Sequence, residues 1–227
     1  MNTRCIDALD ALRREVAVEI VETKQALREA QTLRHIVFCK ERDILPCKGA
    51  YEADEYDDRS RHIVLRRRTC GELIGTVRLV VPEPAARDGH LPMAKVSPPA
   101  MFEHLPLSTT AEISRFGLSR DRRDPKRVSD PIMGLGLMQG ILTVSRELGL
   151  THWCAAMEPG LLRLLRSVCI HFEGQGPLVE YCGLRQPSVA CIDTVLERGR
   201  NEKPDIWAFV TGADRHATCD TGMALAA

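Results

Sequence analysis

Charged side chains inside apolar strands constrain this sequence more than any other feature. The segment ELIGTVRLVVP (residues 72–82) is mostly apolar on both of its faces, which predicts a central, buried strand. Arg78 lies in the middle of this segment. Because an unpaired buried charge costs several kcal/mol, we expect Arg78 to have an acidic partner.

A second segment, TAEISRFGLS (residues 110–119), repeats this pattern with Glu112 and Arg115. Residues three apart in a regular strand point to opposite faces of the sheet. A β-bulge at Ile113 or Ser114 would bring both charges onto one face, and bulges often lie beside active sites. The sequence therefore predicts a distorted strand with a functional or structural charge cluster.

Five acidic residues within positions 51–58 are the natural partners for these buried arginines. The residues alone leave three interpretations open. The acids can form a structural ion network with the strands, or they can lie in a solvated turn. A calcium loop is the third interpretation, but the spacing does not match an EF-hand and the central glycine is missing.

Composition excludes several classes of function. The 227 residues carry no formal net charge and only 4% aromatic side chains, which argues against nucleic-acid binding. No apolar run approaches the length of a membrane span, and the N-terminus lacks the pattern of a signal peptide. The nine cysteines are scattered without a C-x-x-C pair, so we expect reduced thiols, no metal site and a cytoplasmic protein.

Periodicity and turn residues predict alternating helices and strands. The predicted helices are 3–14, 24–41, 131–149, 159–169 and 188–200, and the predicted strands are 16–22, 62–68, 72–82, 110–119, 151–158, 176–182 and 205–211. This order indicates one α/β domain over residues 1–211 with a mixed sheet, followed by a flexible tail at 212–227. The proline-rich segment 83–110 is a long loop, which is unusual unless it covers something or is mobile.

Four short motifs carry a resemblance to a known family. They are LRHIVF with Arg34 and Phe38, YEADEYD (residues 51–57), GTVRL with Arg78, and EISRF (residues 112–116). In this order, residues 16–119 resemble the acyl-homoserine-lactone synthases and the long-chain N-acyl amino acid synthases, two branches of the GNAT superfamily of N-acyltransferases. Each motif is weak alone, but four in order are hard to obtain by chance.

The C-terminal half favours one branch of this resemblance. MEPGLLRLL and GPLVEYCGLRQP look more like the N-acyl amino acid synthases, including the acyltransferases associated with exosortase gene clusters. The lactone synthases usually carry a tryptophan a few residues beyond the phenylalanine, whereas FCKERDIL has none. The resemblance therefore implies an amino acid as the acceptor in preference to S-adenosylmethionine.

The resemblance implies a fold and a reaction. The fold would be α/β, a GNAT-like three-layer αβα architecture with a central, mostly antiparallel, splayed mixed sheet. The reaction would move a fatty acyl group from the phosphopantetheine thioester of acyl carrier protein to a small-molecule amine, with no tightly bound cofactor. Segment 120–130 has no glycine to cradle a pyrophosphate, and its five basic side chains suit an acidic carrier protein, although a solvated basic loop explains them equally well. These side chains are Arg120, Arg122, Arg123, Lys126 and Arg127.

The resemblance also implies roles for individual residues. Glu112 is the candidate general base, and backbone N–H groups at a bulge near 113–116 are candidate oxyanion donors. The other candidate catalytic residues are Arg78, Arg115 and Ser114, and the candidate acceptor-binding residues are Asp54, Asp57, Arg34 and Phe38. A basic residue should bind the carboxylate of an amino acid acceptor, but the sequence does not identify it.

Other functions stay open at this point. The neighbours Cys169 and His171 are a weaker candidate for nucleophilic catalysis, because such pairs are recognised by spatial geometry. A lactone synthase that uses S-adenosylmethionine is the alternative within the same class. A degenerate acyl-binding regulatory module without catalysis is the alternative from a different class.

Overall fold

Eight strands form an open, mostly antiparallel sheet in the computed structural model, which describes residues 3–46, 48–83, 85–86, 89–122, 124, 126 and 128–213. The strands are β1 (Val16–Ile20), β2 (Ser60–Arg67), β3 (Leu73–Val80), β4 (Thr110–Leu118), β5 (His152–Met157), β6 (Glu173–Gly174), β7 (Val179–Glu180) and β8 (Leu184–Cys191). Their order in the sheet is β1-β2-β3-β4-β5-β8-β6, with β7 paired to β8.

The predicted central strand is confirmed. All eight residues of β3 are buried, between β2 on one side and β4 on the other. The turn before β3 contains Gly71 at φ +73°, a conformation that glycine adopts without strain. The predicted strands β2 and β3 therefore form an antiparallel hairpin that carries Arg78 into the middle of the sheet.

The sheet splays where β4 meets β5. These two strands are parallel and pair over only three positions, from Thr110–His152 to Glu112–Cys154. β4 continues beyond Glu112 to Leu118, and β5 continues beyond Cys154 to Met157, but these parts of the two strands do not pair with each other. The resulting gap between the two strands begins at Glu112.

Helices cover both faces of the sheet. They are α1 (Thr3–Glu15), α2 (Lys24–His35), α3 (Ala100–Glu103), α4 (Asp130–Glu147), α5 (Pro159–Ser167), α6 (Ile192–Glu202) and α7 (Pro204–Thr211). The main apolar core joins the sheet to α1, α4, α5, α6 and α7. On the other face, α2 forms a smaller cluster with β2 and β3. This three-layer arrangement agrees with the predicted fold class.

The N-terminal helices follow the sequence closely. Thr23 caps α2, because its hydroxyl accepts a hydrogen bond from the Ala26 N–H. The same helix continues as a π-helix over Ile36–Glu41, which places Phe38 within the wider turn. Such π-helical turns are frequent at functional sites. At the start of α4 the prediction was one residue off, since Ser129 is the N-cap and Asp130 is the first helical residue.

The C-terminal region differs from the prediction. Residues 205–211 form the helix α7 rather than a strand, because Pro204 suits the first helical turn and the apolar side chains pack on α4 and α1. The predicted helix 188–200 is instead the end of β8 followed by α6. The strand expected at 176–182 is only the two-residue β7. Short apolar runs do not distinguish strands from helices by periodicity alone.

The long segment before β4 covers the splay. Its described residues include two 3₁₀ turns, Pro92–Lys95 and Leu107–Thr109, and the short helix α3. Leu91, Met93 and Phe102 from this segment are buried in a cluster of their own with Tyr56. The segment therefore packs over the part of the sheet that holds Glu112.

Two other expectations can be checked. Among the described residues, no helix combines the length and the hydropathy that crossing a bilayer requires. In the described ranges, six cysteines carry free thiols, as expected: Cys5, Cys70, Cys154, Cys169, Cys182 and Cys191. Cys39 departs from the expectation because it forms a disulfide. The predicted tail lies outside the described residues from position 214 onward.

Glycines in α4 provide a paired test of packing. A methyl group at Gly140 would overlap the Ile63 side chain and lie 3.0 Å from Val18 Cγ1, whereas at Gly134 the nearest atom is Phe116 Cζ at 3.5 Å. We expect Gly140→Ala to destabilise the fold by about 1–3 kcal/mol through overpacking. Gly134→Ala should stabilise it by up to about 1 kcal/mol through helix propensity. Urea unfolding of both variants checks this, and equal stabilisation by the two changes would contradict the packing described here.

Candidate active site

Arg78 has the acidic partners that its burial requires. Its side chain is fully buried, and its guanidinium contacts two carboxylates. Nη1 donates to Asp54 Oδ1 and to Asp57 Oδ1 at 2.7 Å, and Nη2 donates to Asp54 Oδ2 at 3.0 Å. Nε donates to the hydroxyl of Ser114 at 3.0 Å. The acidic segment therefore folds onto the central strand.

A second buried arginine enters this cluster from α2. Arg34 is fully buried and donates to Glu52 and, at 2.6 Å, to Asp57 Oδ1. Gln31, one turn earlier on the same helix face, donates to Asp57 Oδ2 at 3.0 Å. The acids thus connect α2 to the sheet.

The third arginine lies at the predicted bulge. The β3–β4 pairing shifts between Thr76, opposite Gly117, and Arg78, opposite Ser114. The extra residue is therefore at 115–116, slightly later than the predicted position. Arg115 adopts φ +54°, a strained conformation for a residue with a side chain. Its guanidinium donates to Glu52 Oε1 at 2.8 Å and to Asp54 Oδ2 at 3.1 Å, which holds this backbone in place.

These six residues form one charge-balanced cluster, which we call the guanidinium–carboxylate network. Its three cations are Arg34, Arg78 and Arg115, and its three anions are Glu52, Asp54 and Asp57. Equal numbers of both charges satisfy the buried groups without a net charge in the interior. The interpretation of residues 51–58 as a solvated turn is therefore wrong for Glu52 and Asp57, which are buried.

The network shifts the pKa values of its members and neighbours. Burial alone would raise the pKa of Asp57, but Arg34 and Arg78 outweigh it and lower the pKa to about 2. Beside it, burial lowers the pKa of His62 to about 4, so this imidazole is neutral at pH 7. The stabilisation from Asp57 is present above its ordinary value of 3.8 and is lost as the pH falls through about 2.

Glu112 has a different environment from the network acids. It is 3% exposed, and its Oε2 accepts a hydrogen bond of 2.8 Å from the Met93 N–H of the covering segment. Burial raises the pKa of Glu112 to about 8, although the Met93 N–H, Arg78 and Arg115 oppose the shift. A carboxyl group whose pKa is near the working pH can exchange a proton with a substrate.

A cavity of about 370 Å³ opens at the splay, with Glu112 in its wall. One side of the cavity is the part of β4 that no longer pairs with β5, including Ser114 and Arg115. The rest of the lining is mainly apolar and includes Phe38, Met138, Met157, Leu161, Leu165 and Phe172. This volume and mixture of apolar walls with few polar groups are typical of a small-molecule site.

The structure places the predicted site residues in two groups. Glu112, Ser114, Arg115 and Phe38 line the cavity. Arg34, Arg78, Asp54 and Asp57 are not part of its lining and lie in the network behind the bulge. Asp54 and Asp57 therefore shape the site through the arginines that they bind.

The predicted carrier-binding residues lie on the segment after β4. Arg120 and Lys126 are exposed, while Arg122 contacts Glu72 at 3.4 Å and donates to the Leu73 carbonyl. Arg123 and Arg127 lie outside the described residues. Arg120 and Lys126 therefore present positive charge to solvent in the segment that follows β4.

One group of potential metal ligands occurs among the described residues. Cys169, His171 and Glu202 have ligand atoms within 4.8 Å of one another. Burial raises the pKa of Cys169, and its thiol donates to Glu202 at 3.4 Å, which disfavours the thiolate that catalysis or metal binding needs. None of the three lines the cavity described above.

Sequence reasoning missed several residues of the site. Glu52 bridges Arg34 and Arg115, and only its place in YEADEYD could have indicated this. Gln31 shares a helix face with Arg34, which is a usable signal. The Met93 N–H could not have been found, because no periodicity marks its segment.

The sequence matches one family model. Residues 33–129 match a model described as an acetyltransferase (GNAT) domain. These residues include the network, the bulge and Glu112. A search of curated proteins found no match to the chain.

Solved structures share the fold. The AHL synthase LasI superimposes with a TM-score of 0.60 at 17% identity, covering 78% of this chain and 89% of LasI. BjaI, a CoA-dependent acyl-homoserine lactone synthase solved with SAM and isopentyl-CoA, gives 0.59 at 19% identity, covering 86% and 98%. FeeM, an N-acyl amino acid synthase from uncultured soil microbes, gives 0.57 at 13% identity, covering 81% and 93%. The expected GNAT-type fold is thereby confirmed.

The network should contribute far more stability than a surface ion pair. Arg34→Met removes one guanidinium partner from both Glu52 and Asp57 and leaves the network with an excess negative charge, so we expect a loss of about 3–5 kcal/mol in the free energy of unfolding. The matched control is Arg61→Gln, which removes an exposed pair with Glu147 at 3.4 Å and should cost less than about 1 kcal/mol. Denaturant unfolding measures both, and an equally small loss in the two variants would refute the structural role of the network.

Proposed function

We propose that this protein is an N-acyltransferase that moves a fatty acyl group from acyl carrier protein to the amine of an amino acid. The observation that carries the proposal is Glu112, a buried carboxyl group with a pKa near 8 in the wall of an apolar cavity. The cavity lies at the splay between β4 and β5, beside a strained bulge. The similarity of fold to acyltransferases supports this assignment.

Glu112 acts as the general base in this proposal. The carboxylate takes a proton from the acceptor ammonium, directly or through one water, and the free amine attacks the thioester carbonyl. A C–N bond forms, the C–S bond breaks, and the thiolate leaves with a proton from the nitrogen. Because burial favours the neutral form of Glu112, the carboxylate is a stronger base than an exposed one.

The reaction also requires stabilisation of the oxyanion that forms on the thioester carbonyl, and in this proposal the bulge supplies it. A bulge leaves its extra residue outside the regular ladder, so backbone N–H groups near Arg115 are available to a substrate. Donors fixed before the reaction stabilise developing charge without reorganisation. In this proposal Arg78, through Ser114, and Arg115, through Glu52 and Asp54, are positioning residues that hold the bulge.

The apolar part of the cavity accommodates the acyl chain. Leu161, Leu165 and Phe172 come from the α5 side, and Met138 comes from α4. Phe172 in turn stacks on the fully buried Trp153, with ring centroids 6.4 Å apart. Burial of apolar chain in such a pocket contributes about 0.8 kcal/mol per CH₂ group.

The donor is proposed to be acyl carrier protein. Segment 120–130 offers the exposed cations Arg120 and Lys126 and no glycine, which suits an acidic protein and a single phosphate better than a pyrophosphate. Some structural neighbours are CoA-dependent acyl-homoserine lactone synthases, including BjaI and MesI. A direct comparison of acyl carrier protein and acyl-CoA as donors therefore decides this point.

Lactone synthesis is the second candidate function. The fold similarity to LasI and to BjaI solved with SAM favours it. Since S-adenosylmethionine also presents an amine beside a carboxylate, the same site chemistry applies. Mass spectrometry of the products distinguishes an N-acyl amino acid from an acyl-homoserine lactone.

Replacement of Glu112 tests the mechanism. We expect Glu112→Gln to lower the rate of thiol release from acyl carrier protein, measured with mixed amino acids, by roughly 10²–10⁴-fold. Wild-type turnover should rise as the pH passes through about 8, because the carboxylate form increases, and the variant should lose this dependence.

Two controls accompany this variant. Glu147→Gln changes an exposed residue of α4 and should retain wild-type turnover. Ionisation of a carboxyl group with a raised pKa destabilises the fold, and this loss develops as the pH rises from the ordinary pKa of 4.5 through about 8. At pH 9 we therefore expect Glu112→Gln to unfold at a denaturant concentration no lower than that of the wild type. Unchanged turnover in a folded Glu112→Gln variant would remove Glu112 as the base.

A further inference from the structure

We propose that Arg185 binds the carboxylate of the acceptor, so that the site selects α-amino acids over amines that lack a carboxylate. This inference rests on the proposed function, because it assigns the acceptor end of the same cavity. Arg185 lines that cavity and is 9% exposed. A buried guanidinium in a substrate cavity is well suited to hold a carboxylate.

The register of the sheet fixes the position of Arg185. Strands β5 and β8 pair from His152–Cys191 to Met157–Gln186. One further step along both strands places Arg185 beside Glu158, and their side chains are 3.2 Å apart. On its other side, Arg185 pairs with Val179 of β7. The guanidinium is therefore built into the sheet rather than carried on a loop.

Its hydrogen bonds hold the guanidinium while leaving donors for a ligand. Nη2 donates to the Cys182 carbonyl at 2.5 Å, and Nη1 donates to the Leu184 carbonyl at 3.2 Å and approaches Glu158. A guanidinium has five N–H donors. In the described part of the chain, Nε and one hydrogen of Nη2 are thus left for a substrate.

The other arginines of the cavity are less suited to this role. Arg115 already donates to Glu52 and Asp54, and these bonds hold the bulge. Arg42 lies over the ring of Phe38, 5.9 Å from its centroid. Both are also more exposed than Arg185. Arg185 is therefore the lining arginine whose geometry is best fixed for a ligand.

A second source of positive potential lies next to Arg185. Helix α5 begins at Pro159, and its N-cap residue Glu158 makes no side-chain capping bond. Gly160 and Leu161 of its first turn line the cavity. The partial positive charge of a helix N-terminus adds to that of the guanidinium and favours an anion here. The Glu158 carboxylate opposes this charge, but its side chain is 46% exposed and is screened by solvent.

Glu112 and Arg185 both line the cavity, from different strands. On β5, Cys154 lies opposite Glu112, and Glu158, the N-cap residue of α5 just beyond the end of β5, lies beside Arg185. Four residues of extended backbone separate these two positions by roughly 13 Å. The side chains of Glu112 and Arg185 line the same cavity, and the proposal places the amine of an amino acid at Glu112 and its carboxylate at Arg185.

Binding of matched acceptors tests this assignment without relying on turnover. The probes are leucine, phenylalanine and methionine, each compared by calorimetry with its own amide, which keeps the amine and side chain but loses the negative charge. We expect the wild type to bind at least one amino acid roughly 10–100-fold more tightly than its amide. Arg185→Gln should abolish this difference, and Arg185→Lys should retain part of it.

The control is Arg166→Gln, which removes an exposed arginine of α5 that does not line the cavity. This variant should keep the wild-type preference for the carboxylate. The assignment is overturned if the wild type shows no preference, or if Arg185→Gln keeps it. It is also overturned if Arg185→Gln weakens only the binding of the acyl donor, which would be measured as a higher KM for acyl carrier protein. Acyl transfer to the amides by Arg185→Gln would support the proposed function whether or not Arg185 binds the carboxylate. If the wild type transfers no acyl group to any of the amino acids or amides, the proposed function is refuted, and the binding comparison still tests Arg185.

Discussion

Three guanidinium groups and three carboxylates, buried or half-buried between α2 and the central strands, determine how the rest of this structure is arranged. Neither set of charges could be buried alone, because each unpaired ion would cost several kcal/mol. The acidic segment must therefore fold onto β3 and β4. In doing so it fixes Arg115 in a strained conformation at the bulge, which a weaker set of contacts would allow to relax.

The bulge and the splay convert this structural cluster into a candidate site. Where β4 stops pairing with β5, the sheet opens into an apolar cavity, and Glu112 lies where the opening begins. The covering segment excludes water from Glu112 and contributes the Met93 N–H. The pKa of Glu112 is raised whereas the pKa values of Asp54 and Asp57 are lowered, because Asp54 and Asp57 bind guanidinium groups directly and Glu112 does not.

Much of this arrangement could be predicted from the sequence. The apolar faces of β3 and the position of Arg78 predicted an acidic partner from local pattern alone. The spacing of Glu112 and Arg115 predicted a bulge in β4, but its place was wrong, since the extra residue lies at 115–116 and not at Ile113 or Ser114. The short C-terminal elements could not be assigned in this way, since the choice between strand and helix for α7 depends on packing against α4. Likewise, the direction of the pKa shift of Glu112 depends on a covering segment that has no periodicity.

We propose that an acyl thioester binds, and an amide is made, at the splay between β4 and β5. A crystal structure with an amide-linked acyl-pantetheine, a stable analogue of the thioester, tests this proposal. We expect the acyl chain between α4 and α5 and the carbonyl carbon next to Glu112 and the bulge. An analogue that binds elsewhere on the protein, with this cavity filled only by solvent, would contradict it.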